Sequence, residues 1–339
     1  MRPLGRGGLR VGRLAFGTAP IGNLGRQVDE EEWRGALGAA WDAGVRYFDT
    51  APHYGLGLAE QRLAEGLEGR ARDEFIVSTK VGRRLEPTSS DAMDDEGFAV
   101  PATHLRVRDY SRDGVLASLE SSLERLGLDR LDLLLVHDPD EYRREALEGA
   151  FPALEELRSQ GVITSYGAGM NQAEMLADFV RETDLDVVML AGRYTLLEQG
   201  ALDDLLPECV RRGVSVIAAG VFNSGLLARD RPRDGATYNY EPAPPEMVAR
   251  VHRIADILER HGTSVPVAAA QFALAHPAVA TVCLGARSAA QVQRNAALFD
   301  APVPDAAWRE LVAEGLLRPD AVIPIGERVD GRRETSETG

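Results

Sequence analysis

The chain has 339 residues, 44% hydrophobic and 27% charged, with a formal net charge of -15, so it builds a large core while its negative field argues against a nucleic-acid partner. No apolar run approaches the ~20 residues that cross a bilayer, and Met1 to Arg13 lacks the apolar stretch of a secretory signal, so a soluble cytoplasmic protein with no membrane partner is expected. The two cysteines, Cys209 and Cys283, offer neither a disulfide framework nor zinc spacing and belong in the core.

In chain order, Leu14–Phe16 is a weak first strand, followed by helical periodicity over Glu30–Ala43 that stops at Gly44. Arg46–Asp49 is a continuous apolar run, Leu58–Leu67 a helix and Phe75–Thr79 a third strand. Val81–Arg112 is polar, acidic and too long for a simple connection. A helix over Asp113–Leu126, with Asp113 as candidate N-cap, ends at Gly127. Strand Leu131–Val136, helix Arg144–Gln160, strand Val162–Tyr166 and helix Gln172–Arg181 come next, with Gly161 and Asn171 at helix ends. Strand Val187–Leu190, helix Ala201–Arg212, Gly213 and strand Val214–Ala218 repeat the pattern. After a second long segment, Ala219–Pro244, come helices Pro245–His261 and Val267–His276, strand Val279–Leu284 and helix Ala289–Phe299. A Pro-containing tail runs from Ala301, and the polar stretch 327–339 is expected to be disordered.

Eight strands whose apolar runs are continuous, each followed by helix, predict an α/β fold: a single (β/α)8 TIM barrel over residues 1–326, with long loops at its carboxyl face. The alternative, an open doubly wound sheet, lacks a G-x-G-x-x-G or P-loop after any strand.

Barrel enzymes take their catalytic groups from the ends of several strands. Asp49 ends the second strand, Tyr54 lies in the loop after it, Lys80 ends the third and His137 the fourth. Singly, each has a plain structural reading: a turn cap, a surface ring, an exposed ammonium and a packed imidazole. Together they suit carbonyl reduction and its reverse. Hydride arrival at a carbonyl carbon loads charge on oxygen, which must be protonated. A free tyrosine titrates near 10 and is a poor acid at neutral pH. An adjacent ammonium, Lys80 held by Asp49, lowers that value, and His137 orients the substrate oxygen.

These residues carry a resemblance. Phe48-Asp49-Thr50-Ala51, Tyr54-Gly55, Glu60, Ser78-Thr79-Lys80 and Asp132-Leu133-Leu134-Leu135-Val136-His137 resemble the aldo-keto reductase pattern in order and spacing, over roughly residues 13–300. The resemblance implies the same barrel, and Asp49, Tyr54, Lys80 and His137 as the catalytic tetrad. Asp49 to Gly57, Asp109-Tyr110-Ser111, His137 to Asp140, Gly169 to Gln172, Ala191 to Leu197 and Val221 to Gly225 are similar to one branch. That branch, of L-fucose dehydrogenase or D-threo-aldose 1-dehydrogenase type with pyridoxal 4-dehydrogenase as a relative, oxidises free aldoses at C1 to the lactone. The substrates implied are of L-fucose, L-galactose or D-arabinose type.

The resemblance also implies a nicotinamide cofactor, NADP or NAD, of which NADP is the expected choice. Gly285, Ala286, Arg287 and Ser288, with Gln291 and Asn295 on the next helix, resemble the adenosine-phosphate segment; a loop entering a helix offers free amides to phosphate, and Arg287 a fork for a 2'-phosphate. Asn171 is implied to bind the nicotinamide amide. The chain departs from the family where Ala219 replaces a stacking Tyr, where Ala191 replaces a Gln, and where Gly169-Met170-Asn171 replaces a Ser-Asn pair. Phe222 is a candidate substitute ring, and His53, Asp138, Tyr110 and Asn223 are candidate contacts for a sugar or aldehyde. No metal is expected. Other readings stay open: a general aldehyde or ketone reductase, a pyridoxal dehydrogenase, a cofactor-bound regulatory subunit, or a barrel hydrolase using Asp49, Asp138 and Asp140 as carboxylates or His53 and His137 as metal ligands.

Overall fold

All eight predicted strands form in the computed structural model, which describes residues 1–90, 92–239 and 241–326. They are β1 (Leu14–Gly17), β2 (Tyr47–Asp49), β3 (Ile76–Val81), β4 (Leu131–His137), β5 (Ile163–Met170), β6 (Val187–Ala191), β7 (Ser215–Ala219) and β8 (Val279–Gly285). Neighbours pair in parallel in chain order, and β8 pairs with β1 to close the barrel, with Gly285 opposite Gly17. Closure leaves no unpaired edge, and the strands carry apolar residues on both faces because one face fills the interior and the other packs against the helices.

Strand side chains alternate, so each strand sends one parity inward. Ala15, Tyr47, Leu133, Leu135, Val187, Met189, Ile217 and Cys283 pack together as the barrel interior. The other parity, including Phe16, Phe48, Val77, Leu134, Val136 and Val188, packs against the surrounding helices. An antiparallel hairpin not foreseen from sequence, Arg2–Leu4 with Leu9–Val11, sets the buried Leu4 and Val11 into the interior cluster. Asp49, Lys80 and His137 stand at or next to the carboxyl ends of β2, β3 and β4.

The helices are α1 (Glu30–Asp42), α2 (Leu58–Leu67), α3 (Arg112–Leu126), α4 (Phe151–Ser159), α5 (Ala173–Glu182), α6 (Leu205–Arg212), α7 (Pro245–Arg260), α8 (Val265–Ala275), α9 (Ala289–Ala297) and α10 (Asp305–Ala313). The predicted glycine stops hold: Gly44, Gly127, Gly161, Gly213 and Gly262 all have positive φ. Two expected caps are corrected. Ser111, not Asp113, caps α3, its Oγ accepting from the Gly114 amide at 3.1 Å. Asn171 stands one residue before the cap of α5 and donates instead to the Ala191 carbonyl. A π turn, Ala146–Ala150, leads into α4, whose Pro152 has no amide to give a regular ladder.

The long segments are also more ordered than the sequence implied. Val81–Arg112 contains an antiparallel hairpin, Arg83–Pro87 with His104–Arg108, standing on the carboxyl face after β3. Ala219–Pro244 folds back through a short pairing of Thr237–Tyr238 with Glu241–Pro242. The tail after Ala301 forms α10, because Ala307, Trp308 and Leu311 recur at helical spacing and are fully buried. The stretch 327–339, expected to be disordered, lies outside the described residues. Cys209 and Cys283 are free and buried, as expected. Among the described residues, no helix is long and apolar enough to cross a membrane.

Candidate active site

Asp49 and Lys80 have the inward parity of Tyr47 and Ser78, and His137 that of Leu133 and Leu135. The barrel therefore aims all three at its carboxyl mouth. Lys80 is 2% exposed. Its Nζ donates to Asp49 Oδ1 at 3.0 Å and Oδ2 at 2.8 Å, to the Thr50 carbonyl at 2.8 Å, and to Tyr54 Oη at 3.1 Å. Asp49 Oδ1 also accepts from Ser78 Oγ at 2.7 Å, and Ser78 in turn meets Tyr47 Oη at 2.9 Å. The Tyr54 and His137 rings stand edge to face with centroids 6.1 Å apart.

The turn that presents Tyr54 is held against the loop after β1. Gly55 has φ +64, and a Cβ there would lie 2.3 Å from the Gly22 carbonyl oxygen, so only glycine allows this approach. Glu60, part of the motif, faces away from the mouth. It is fully buried, accepts from Thr79 Oγ1 and Arg125 Nε at 2.7 Å each, and so fastens α2 to β3 and α3.

Burial by itself would discharge Lys80, but Asp49 and Tyr54 more than offset it and hold the ammonium above its ordinary pKa. For Tyr54 the balance runs opposite to the sequence expectation. Burial raises the hydroxyl to about 12, and the Lys80 charge only moderates that rise. The hydroxyl is therefore held protonated beside a fixed cation. His137 is pushed well below its ordinary value by burial, then by Arg83 and Lys80. His53 is lowered to about 2 by burial and then Arg83. Both imidazoles are neutral at physiological pH. Nδ1 of His137 is buried without a partner while Nε2 lies 3.5 Å from Asp138 Oδ2; we assign its proton to Nε2, since an orphaned buried donor at Nδ1 would be the costlier arrangement.

The inserted hairpin adds charged groups that sequence reading missed. Arg83 donates to Asp138, comes within 3.5 Å of His53 Nδ1 and 3.8 Å of Glu96 Oε2. Arg106 forms a buried pair with Asp94 at 2.5 Å and donates to the His53 carbonyl at 3.1 Å. Phe98 packs edge-on against His53, centroids 5.2 Å apart. Their only signal in the sequence was their place in a long loop after a strand. Of the proposed substrate contacts, His53 and Asp138 lie beside His137. Tyr110 stands behind the site: it is 2% exposed and its hydroxyl is directed at the His137 and Asp138 carbonyls, 2.8 Å from each. Asn223 is 3% exposed and donates to the Gly192 carbonyl at 3.2 Å, tying the loops after β6 and β7; Oδ1 is buried without a partner. Phe222, next to it, is half-buried against the outer core.

The second half of the site lies where β8 meets α9. Gly285 is exposed at the strand end, and Ala286 is buried. Ser288 occupies the N-cap of α9 with extended backbone and no side-chain capping bond, so amides of the first turn stay available to an anion. Gln291 Oε1 accepts from the Arg287 amide at 2.7 Å, and Asn295 Nδ2 lies 3.4 Å from the Gly285 carbonyl. Arg287 Nη2 donates to the Leu24 carbonyl at 2.6 Å, while its Nε is buried without a partner. Asn171 donates its amide nitrogen to the Ala191 carbonyl at 3.0 Å. The unpartnered Arg287 Nε and the uncapped start of α9 suit a phosphate-bearing dinucleotide. Among the described residues, no group of histidine, cysteine and carboxylate side chains could hold a metal ion.

Residues 13–313 match the model of the aldo/keto reductase family. D-threo-aldose 1-dehydrogenase of a Pseudomonas species is 46% identical over 317 residues, 92% of this chain and 96% of that protein. Pyridoxal 4-dehydrogenase of Microbacterium luteolum is 40% identical, covering 93% of this chain and 97% of that one. Among solved structures, an aldo-keto reductase from Bacillus halodurans in its holo form superposes with a TM-score of 0.74 at 29% identity, over 92% of this chain and 95% of that one. The chain belongs to the aldo/keto reductase family and is an NAD(P)-dependent oxidoreductase.

Proposed function

We propose that this enzyme oxidises a free aldose, of L-fucose, L-galactose or D-arabinose type, at C1 to the lactone, with NADP⁺ preferred over NAD⁺. The observation that carries it is the closed set Asp49–Lys80–Tyr54 at 2.8 to 3.1 Å, beside neutral His137. The 46% identity to a named aldose 1-dehydrogenase supports the substrate class.

The nicotinamide cofactor, when bound, accepts the hydride from C1. Everything else falls to the chain. Tyr54 takes the C1 hydroxyl proton as its base and returns it as the acid in reduction. Lys80, ionised and fixed by Asp49, stabilises the phenolate that this requires. His137 donates from Nε2 to the substrate oxygen and orients C1. Asn171 serves the nicotinamide end, with Phe222 as the candidate stacking ring and Asn223 as a candidate substrate contact. Gly285, Ala286, Ser288 and the start of α9 take the phosphates, Gln291 and Asn295 brace that segment, and Arg287 meets the 2'-phosphate.

Initial rates over an aldose panel with NAD⁺ and NADP⁺ test the reading. Lactone formation from one or more of the named sugars supports it. Fast aldehyde reduction with no aldose oxidised at any pH leaves a general carbonyl reductase. Oxidation of pyridoxal alone favours the activity named for the 40% relative.

A further inference from the structure

Of the charged side chains above the catalytic mouth, Asp138 is a candidate substrate contact, while its partner Arg83 has no role so far. Arg83 opens the inserted hairpin directly after β3, and its side chain is 11% exposed. The guanidinium donates through Nη2 to Asp138 Oδ2, and through Nη1 approaches His53 Nδ1 at 3.5 Å and Glu96 Oε2 at 3.8 Å. Its Nε is buried with no partner. The other member of the pair, Asp138, is held in a left-handed backbone with φ 42, which a non-glycine residue adopts at a cost. Its amide donates to the Gly169 carbonyl at 3.0 Å, and its own carbonyl accepts from Tyr110 Oη at 2.8 Å and Arg108 Nη1 at 3.0 Å. These bonds fix a strained residue so that its carboxylate stands 3.5 Å from Nε2 of His137. The Asp138 side chain remains 28% exposed.

A pair that only fastened the hairpin would not need a strained residue, nor to end beside the imidazole that meets the substrate oxygen. We propose that Arg83 and Asp138 together recognise the hydroxyl groups next to the reacting carbon, and so make this site selective for polyhydroxylated substrates over plain carbonyl compounds. The pair offers what a vicinal diol requires: a carboxylate that accepts from hydroxyl protons and a guanidinium that donates to hydroxyl oxygens. A substrate oxygen at His137 brings the oxygen on its adjacent carbon toward Asp138. A substrate lacking that hydroxyl leaves the remaining donor and acceptor sites of the pair desolvated and unfilled, and sites built to bond a hydroxyl reject analogues that lack it. Glu96 and His53 complete the polar wall, with Phe98 packed behind His53.

The inference rests on the aldose reading for its choice of sugar, but its test does not. Wild type, Arg83→Met, Arg83→Lys and Asp138→Asn are compared in reduction with two aldehydes, glyceraldehyde and 4-nitrobenzaldehyde, and in oxidation with the aldose panel. The expected result is a loss of kcat/KM on glyceraldehyde that exceeds the loss on the aromatic aldehyde by about tenfold or more, mostly in KM. Arg83→Lys, which keeps charge but not the planar fork, falls between wild type and Arg83→Met. Equal losses on both aldehydes overturn the inference and reduce the pair to positioning His137; no loss on either overturns it outright. Thermal unfolding of each variant separates a folding defect from a binding one, since a folding defect lowers active protein for both aldehydes alike. If wild type oxidises no aldose, the aldose reading falls, while the glyceraldehyde ratio still decides the role of Arg83 and Asp138.

Discussion

Replacing Lys80 by Met removes the one cation in a buried cluster and separates two effects that a simple activity loss would merge. Lys80 makes two bonds to Asp49, one to the Thr50 carbonyl and one to Tyr54, at 2.8 to 3.1 Å, and is 2% exposed. Met fills similar volume without charge, so the cost is that of an uncompensated Asp49 carboxylate, which keeps only Ser78 as a side-chain donor. Breaking a buried pair in this way costs about 3–5 kcal/mol. Removing the remaining charge as well, in Lys80→Met/Asp49→Asn, should recover much of that stability. Activity should not follow. Without the ammonium, the largest influence opposing the burial that holds Tyr54 at about 12 is gone, so the phenolate becomes harder to form and turnover falls roughly 10²–10⁴-fold, the range of a lost acid–base contribution. Urea unfolding and single-turnover rates on the three proteins make the comparison. A Lys80→Met protein as stable as wild type, or a double variant no more stable than the single one, refutes the buried-charge argument. Retained turnover in either variant refutes the role of Lys80 at Tyr54.

Tyr54→Phe keeps the ring packing but removes the hydroxyl proposed to carry the proton; kcat should drop roughly 10²–10⁴-fold with cofactor affinity, read by fluorescence quenching, nearly unchanged. In wild type the hydroxyl, held up to about 12, is protonated at neutral pH, so aldose oxidation should accelerate as pH rises while aldehyde reduction stays level and then falls; rate profiles of the same slope in both directions would remove Tyr54 as the shared group. Arg287→Ala should raise KM for NADP⁺ more than for NAD⁺, by the roughly 1.5–3 kcal/mol of a charge-assisted contact, and equal changes would exclude a 2'-phosphate partner there. His53 is lowered to about 2 and His276 to about 4, chiefly by burial, so the folded protein stays neutral at both where the unfolded chain binds protons. Stability is therefore fully present above pH ~6.5 and is lost as pH falls through the acid range, at up to about 1.4 kcal/mol per pH unit for each such group. His53→Asn should flatten the decline of the urea midpoint between pH 6.5 and 4; an unchanged slope would show that His53 is solvated.

The barrel and the Asp49, Tyr54, Lys80 and His137 set were legible in the chain because both rest on local rules. Buried parallel strands require continuous apolar runs, helices require three-to-four-residue spacing, and glycine supplies the left-handed stops, so the strand read over Leu131–Val136 and the helix read over Asp113–Leu126 each fall within one residue of the observed bounds. A lysine or aspartate closing an apolar strand is conspicuous for the same reason: charge at that position is costly without a partner. What needed the tertiary structure were quantities set by neighbours distant in sequence. That Tyr54 is raised rather than lowered follows from how deeply the mouth buries it, against a single cation whose influence alone was visible. That Tyr110 stands behind the site follows from which face of the inserted hairpin meets the Asp138 carbonyl. The pairing of Arg83 with Asp138 joins residues 55 apart in the chain, through a hairpin whose polar sequence read as a loop. Periodicity records which residues an element buries; it carries no record of which charged groups two loops bring together, and in this barrel those groups stand beside His137.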